Sequence, residues 1–347
     1  MVRHASGLLR LAINSESLLQ LELVELGALR ELAIEAAALK KLVLSSCFSY
    51  MPRVLPVATI SAPRLVILKL GDANVQRYVQ LGRMPHLQSF GDLSYCVYGV
   101  QGPNGGSEHN TVCLKLLQPI KTIKTLSLSL AYFRDIGNYQ YVMEDMKVLP
   151  DHEVLYLNVL ANRHSFGASS FHVLRMCVGI RMLVLTLLDD IHSEAQTPCP
   201  QGCVCEEQSN WKIEELSLIN LQEIEILKLR GSEHEASFVK RLFNWATALN
   251  KITVFLDSST TERKAKDLFQ MFESLSRPEY AWNCIVTIRR CHMHPDIIGH
   301  RVHQYLKLLF LEYEPWKEYA SKGVMCVPSP HQSLDGSSAN VIMLVGM

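Results

Sequence analysis

An α/β solenoid, horseshoe-like and strand-rich, closed at its carboxy-terminal end by a small α/β cap, is the fold this sequence predicts. Three observations predict it. The stretch Leu39-Lys-Lys-Leu42-Val-Leu44-Ser-Ser-Cys47 fits the leucine-rich-repeat template L-x-x-L-x-L-x-x-[NC] residue for residue. That unit recurs along residues 1–220. Beyond Leu221 the pattern changes to strand, helix, strand, helix, strand, with a capping-box signature ahead of each helix. The expected organisation is a leucine-rich-repeat solenoid over 1–220, a cap over 221–290, and a helix with a loose tail over 291–347.

In the template the Leu-x-Leu pair lies on a short strand, so Leu42 and Leu44 point into a core while Lys41, Val43 and Ser45 face out. Near the start the unit comes at half the usual interval. Leu8-x-x-Leu11-x-Ile13, Leu18-x-x-Leu21-x-Leu23, Leu29-x-x-Leu32-x-Ile34 and Leu39-x-x-Leu42-x-Leu44 are displaced by 10, 11 and 10 residues. A full turn needs about 20 to 29. Strands must then alternate between two faces, with Leu21/Leu23 and Leu42/Leu44 on the concave sheet and Leu11/Ile13 and Leu32/Ile34 on the back.

The array continues through Leu65-x-x-Leu68-x-Leu70, with Val57–Ile60 as its back strand, and through a weaker copy at Leu87-x-x-Phe90. Gly99–Gly106 reads as a loop and lacks the Gly-Lys-Ser/Thr ending of a phosphate-cradling one. Further copies start at Ile123, His152, Ile180 and Ile213, at intervals of 29, 28 and 33 residues that leave room for a convex helix, with Ala168–Val178 the candidate. Strands are expected around Ile224 and Ile226, over Ile252–Leu256 and over Cys284–Ile288. Ser232-x-x-Glu235 and Ser259-x-x-Glu262 would cap the helices between them.

Composition narrows the function. The 347 residues are 48% hydrophobic and 20% charged, enough for a large core. Lys plus Arg and Asp plus Glu number 34 each. No global field then attracts phosphate backbones or anionic lipid, and neither nucleic acid nor membrane is an expected partner. Arg10 interrupts the apolar start and no cleavage site follows it, so no signal peptide is expected. The ten cysteines are scattered, several in strand-like patterns such as Cys47, Cys96 and Cys113, which suits small hydrophobes in a reducing interior. Localisation is therefore expected to be intracellular, cytoplasmic or nuclear.

Chemistry-bearing clusters are few. Cys199, Cys203 and Cys205 could offer thiolates to zinc, but only three ligands are local and nothing beyond proximity nominates His192 as the fourth, so a plain loop is the expectation. Cys291-His292-Met-His294 would send its donors to opposite faces of a strand. No Cys/His pair is placed for nucleophilic catalysis, and the chain is expected to be neither an enzyme nor a holder of a metal or cofactor. The functional expectation rests on outward positions of the concave sheet: Gln20, Glu22, Lys41, Val43, Lys69, Ser127, Tyr156, Asn158, Val184, Thr186, Glu215 and Ser217. Tyr156 is the preferred anchor, because an aromatic ring buries much area at low entropic cost.

The carboxy-terminal half carries a resemblance. Cys199-Pro-Gln-Gly-Cys203-Val-Cys205, Asn210-Trp211-Lys-Ile-Glu-Glu-Leu216-Ser-Leu218, Gln222-Glu-Ile-Glu-Ile226, Leu229-Arg-Gly-Ser-Glu-His-Glu235 and Val239-Lys-Arg-Leu-Phe-Asn-Trp-Ala246 resemble plant F-box/leucine-rich-repeat proteins with an FBD-type terminal domain, above all those of grasses. The resemblance implies an FBD-like cap and the substrate-recognition part of a cullin-type (SCF-type) ubiquitin ligase receptor, acting as a protein-interaction module. Family members begin with an F-box, whereas here the repeats start almost at Met1. A Skp-family adaptor is thus an expected partner only if a missing F-box is restored; the alternative is a ligase-independent binding protein or truncated remnant. The protein target is not named by the sequence.

Overall fold

Alternation of apolar and polar side chains shapes the first third of the chain. In the computed structural model, which describes residues 1–4, 7–27, 29–48, 56–71, 79–99, 106–188, 199, 202–207, 209–275 and 285–290, eight short strands open the fold. They are β1 (Val2–Arg3), β2 (Arg10–Ser15), β3 (Gln20–Val24), β4 (Glu31–Ala36), β5 (Lys41–Ser45), β6 (Val57–Ser61), β7 (Ile67–Leu70) and β8 (Val79–Leu81). Odd-numbered strands pair in parallel in one sheet and even-numbered ones in another. Leu21 and Leu23 register with Leu42 and Leu44, and these with Leu68 and Leu70; Leu11 and Ile13 register with Leu32 and Ile34 on the second sheet. The two apolar faces meet in one core, as period-two alternation requires.

Thereafter helices replace the second sheet. The remaining elements are β9 (Ser89–Cys96), β10 (Tyr98–Gly99), α1 (Gly106–Leu117), β11 (Thr122–Ala131), β12 (Gln140–Tyr141), β13 (Asp151–Leu160), α2 (Gly167–Arg175), β14 (Met182–Leu188), α3 (Val204–Glu207), β15 (Glu223–Leu229), α4 (Glu233–Trp245), β16 (Lys251–Leu256), α5 (Glu262–Leu275) and β17 (Ile285–Arg290). β10 and β12 form a small antiparallel pair. The other strands extend the main sheet to eleven, ordered β1-β3-β5-β7-β9-β11-β13-β14-β15-β16-β17.

This corrects the expected class. The molecule is not a leucine-rich-repeat horseshoe closed by a separate cap but an α/β fold on one large parallel sheet with few helices. Two findings overturn the expectation. Among the described residues only four strands build a second sheet, and it ends at Leu81. The three strands assigned to a cap are members of the main sheet: β14 pairs with β15 from Met182↔Glu223 to Thr186↔Leu227, and β15 to β17 continue without a break. The repeat template records the spacing of inward leucines on a strand and says nothing about what covers them.

Smaller corrections follow from local bonding. The copy at Ile213 is not a strand: Ser209–Lys212 is a 3-10 turn, Ile213 and Ile219 are exposed, and the Leu218 amide donates to the Trp245 carbonyl (2.9 Å) instead of joining β14. Cys113 lies on α1, not in a strand. The hydroxyl that accepts at the start of α5 belongs to Thr261, from the Lys264 amide at 3.4 Å, and not to Ser259. Ser232 and Glu235 do form the reciprocal capping box of α4. That helix buries Phe238 and Trp245 beside Val239 and Leu242, while Ala236 stays half-buried. Residues 291–347, including Cys291, His292 and His294, lie outside the described residues. Among the described residues no helix is long and apolar enough to cross a membrane.

Candidate metal centre

Four donors, His164, Cys199, Cys203 and Cys205, converge in space. His164 lies between β13 and α2, after two residues in left-handed conformation, Asn162 (φ 45°) and Arg163 (φ 73°). Non-glycine residues pay about 1–2 kcal/mol each for that conformation. The Asn162 side chain helps to hold it, donating to the Tyr132 carbonyl at 2.7 Å. The thiols come from the connection between β14 and β15. Gly202, at φ 77°, directly precedes Cys203, and Cys205 sits on α3.

The donor atoms all lie within 4.8 Å of one another. His164 Nδ1 is 3.4 Å from Cys199 Sγ and 3.5 Å from Cys203 Sγ, and Cys199 Sγ is 3.4 Å from Cys205 Sγ. His164 and Cys205 are buried, Cys199 and Cys203 half-buried. The surroundings orient these atoms. The second ring nitrogen of His164, Nε2–H, donates to the Arg134 carbonyl at 3.2 Å, which leaves the Nδ1 lone pair aimed at the sulfurs. The ring stacks on Tyr132 at 6.0 Å, and the Tyr132 hydroxyl is fixed by Ser169 Oγ at 2.7 Å. The Ser165 amide donates to Cys205 Sγ at 3.4 Å. Burial lowers the pKa of His164 and keeps the ring neutral. Burial, reinforced by neighbouring thiols, pushes the Cys199 thiol up, and burial pushes Cys205 up to about 11.

Sequence reading found the three cysteines but not their fourth companion. It looked to His192, which lies outside the described residues, whereas His164 is 35 positions from Cys199 and reaches it only through the fold. No local spacing signals that.

Outward positions of the sheet fall into two groups. Glu22, Val43 and Lys69 register across β3, β5 and β7, and Gln20 registers with Lys41. Lys41 Nζ pairs with Glu22 Oε1 at 2.6 Å. Further along, Ser127, Tyr156 and Val184 share one row and Asn158 and Thr186 the next, with Asn158 Nδ2 donating to Ser129 Oγ at 3.3 Å. Gln20 is exposed, and Glu22, Lys41, Val43, Lys69, Tyr156 and Asn158 are half-buried. Ser127, Val184 and Thr186 are instead buried, the last two only 2% exposed, so they offer no open surface. Val184 joins Leu227 and Phe255 in a second apolar cluster made of sheet residues alone, with Tyr156 and Met182 against it. Leu227 faces outward by alternation with Glu225, and a shift of register at Lys228, at φ 61°, returns Leu229 to the main core. Glu215 and Ser217 are exposed but lie in the irregular segment before β15, off the sheet.

Comparison of the chain with protein-family models, with curated proteins and with solved structures finds no match in any of the three.

Proposed function

We propose that this chain is a protein-interaction module that takes its target on the outward face of the large parallel sheet, with Tyr156 as the anchoring side chain. The observation that carries the reading is the outward band itself. Gln20, Glu22, Lys41, Val43, Lys69, Tyr156 and Asn158 stand on paired strands, in fixed register, opposite the face that holds the main core. Charges of both signs, hydroxyl and amide groups, and one aromatic ring on an apolar bed match the mixed surface of another protein better than a phosphate backbone. The equal count of basic and acidic residues supports the same choice. The likeness to plant F-box receptors also favours it. On that likeness the target is a ubiquitination substrate, and a Skp-family adaptor joins only where an F-box accompanies the chain; binding without a ligase is the alternative. Seven described cysteines without a disulfide support an intracellular setting, cytoplasmic or nuclear.

Photo-crosslinking tests the reading. A crosslinker placed at Lys69 or Asn158 should give a discrete protein adduct that one at Lys240, exposed on α4, does not. Tyr156→Ala should weaken binding of that protein by roughly thirtyfold, the size of a hot-spot loss of about 2 kcal/mol. Equal adducts from both positions, or binding indifferent to Tyr156, would overturn the proposal.

A further inference from the structure

We propose that His164, Cys199, Cys203 and Cys205 bind one Zn²⁺ ion as a closed structural centre that ties the β14–β15 connection to the start of α2. The distances fit a single small ion. With Zn–S of about 2.3 Å and Zn–N of about 2.0–2.1 Å at tetrahedral angles, S···N edges come to about 3.6 Å and S···S edges to about 3.8 Å. The structure has S···N separations of 3.4 and 3.5 Å and one S···S separation of 3.4 Å, and the other donor pairs lie within 4.8 Å, so shifts of a few tenths of an ångström to about 1 Å admit the ion. Three thiolates and one imidazole are an established zinc donor set and too few sulfurs for a Cys₄ iron–sulfur cluster.

Outer contacts point the same way. Metal-bound imidazole commonly donates its other N–H to a carbonyl, and His164 does so to Arg134. The Ser165 amide on Cys205 Sγ would stabilise a thiolate there. Buried histidines elsewhere also donate to carbonyls, as His109, His152 and His172 do, so the discriminating observation is the convergence of three thiols on the free ring nitrogen. The contrast lies on α1, where Cys113 Sγ and His109 Nε2 are 3.7 Å apart and both bond to the Ser94 carbonyl. The four-donor convergence is the one cluster of its kind among the described residues.

Coordination releases three thiol protons to solvent, oxidises nothing and leaves a net site charge of −1. Because four protein donors complete the tetrahedron, no position remains for a water or substrate, and the centre is structural, not catalytic. Its role follows from what it fastens. Just beyond Cys205, Trp211 packs on Phe238 at 5.9 Å and Trp245 at 6.4 Å, so the ion would hold the segment that carries this ring into the core.

The test uses the full chain, purified reduced. Elemental analysis should find one equivalent of zinc, and cobalt substitution should give the intense thiolate-to-metal absorption of a tetrahedral S₃N site. Cys203→Ser and His164→Gln should each weaken zinc binding by more than the roughly 10- to 100-fold that loss of an outer partner costs. Cys47→Ser, remote from the cluster, should leave stoichiometry unchanged. The cobalt spectrum of the unmutated chain reports ligand number even where a variant fails to fold. Free thiols that take up no zinc on titration would overturn the proposal, and so would a Cys199–Cys205 disulfide in the reduced preparation.

Discussion

At Gly167 the absence of a side chain decides how α2 meets the aromatic core. A β-carbon there would run into the indole of Trp211, which is itself buried and packed among Phe238 and Trp245. The ring is rigid and cannot move aside as a lysine end would. In an open helix, Gly→Ala would gain up to about 1 kcal/mol from propensity. Here overpacking should win: we expect Gly167→Ala to destabilise the fold by about 1–3 kcal/mol, read as a lower denaturation midpoint with unchanged slope. A neutral or stabilised variant would mean that Trp211 does not occupy this place. Gly202 makes the opposite case, with open space around it but a positive φ, so its demand is conformational.

Among elements, α4 shows how a helix start makes a buried acid tolerable. Glu235 is 5% exposed, and its Oε2 accepts from the Ser232 amide at 3.0 Å and the Arg230 amide at 3.1 Å. Burial raises its pKa; the Ser232 amide and the nearby Arg230 charge, itself near Asp257 at 3.8 Å, oppose the rise without cancelling it. A carboxyl whose folded pKa lies above its unfolded value stabilises the fold below the unfolded pKa, and that contribution is lost as pH rises through the folded one. Glutamine also completes a capping box and carries no charge. The stability of the natural chain relative to Glu235→Gln should therefore fall between the ordinary glutamate range near pH 4 and neutrality, in paired urea titrations. A difference that grows in favour of glutamate with pH would refute the assignment.

Local rules of this kind were legible in the sequence. The Ser232/Glu235 box and the α2 segment rest on spacing within a few residues, and the register of Leu21/Leu23 with Leu42/Leu44 on a regular repeat of the same short unit. The strand expected at Ile213 failed because spacing cannot report pairing, and Leu218 bonds to the end of α4 instead. His164 escaped notice for the related reason that its thiol partners are brought by tertiary folding. The longer intervals after Leu81 did signal convex helices; what spacing could not report is that β15 to β17 pair into the main sheet, and so the class was misread.

At the scale of the whole molecule, the decisive feature is that the main sheet crosses residue 220 without an edge. β14 is buried on both faces, with Leu183 and Leu185 in the main core and Val184 against Leu227 and Phe255. Its free edge would expose a flat row of amides and carbonyls between apolar faces, a template for association. Cutting there would also strip Phe171 of Trp245 at 5.2 Å and Phe166, at the start of α2, of Phe238 at 5.3 Å. If one sheet unites the chain, a fragment of residues 1–220 should aggregate or lack cooperative unfolding, while 1–290 should melt in one transition. Were 1–220 to emerge monomeric with its own sharp transition, the two parts would fold as separate domains and the continuous sheet would be an interface, not a core.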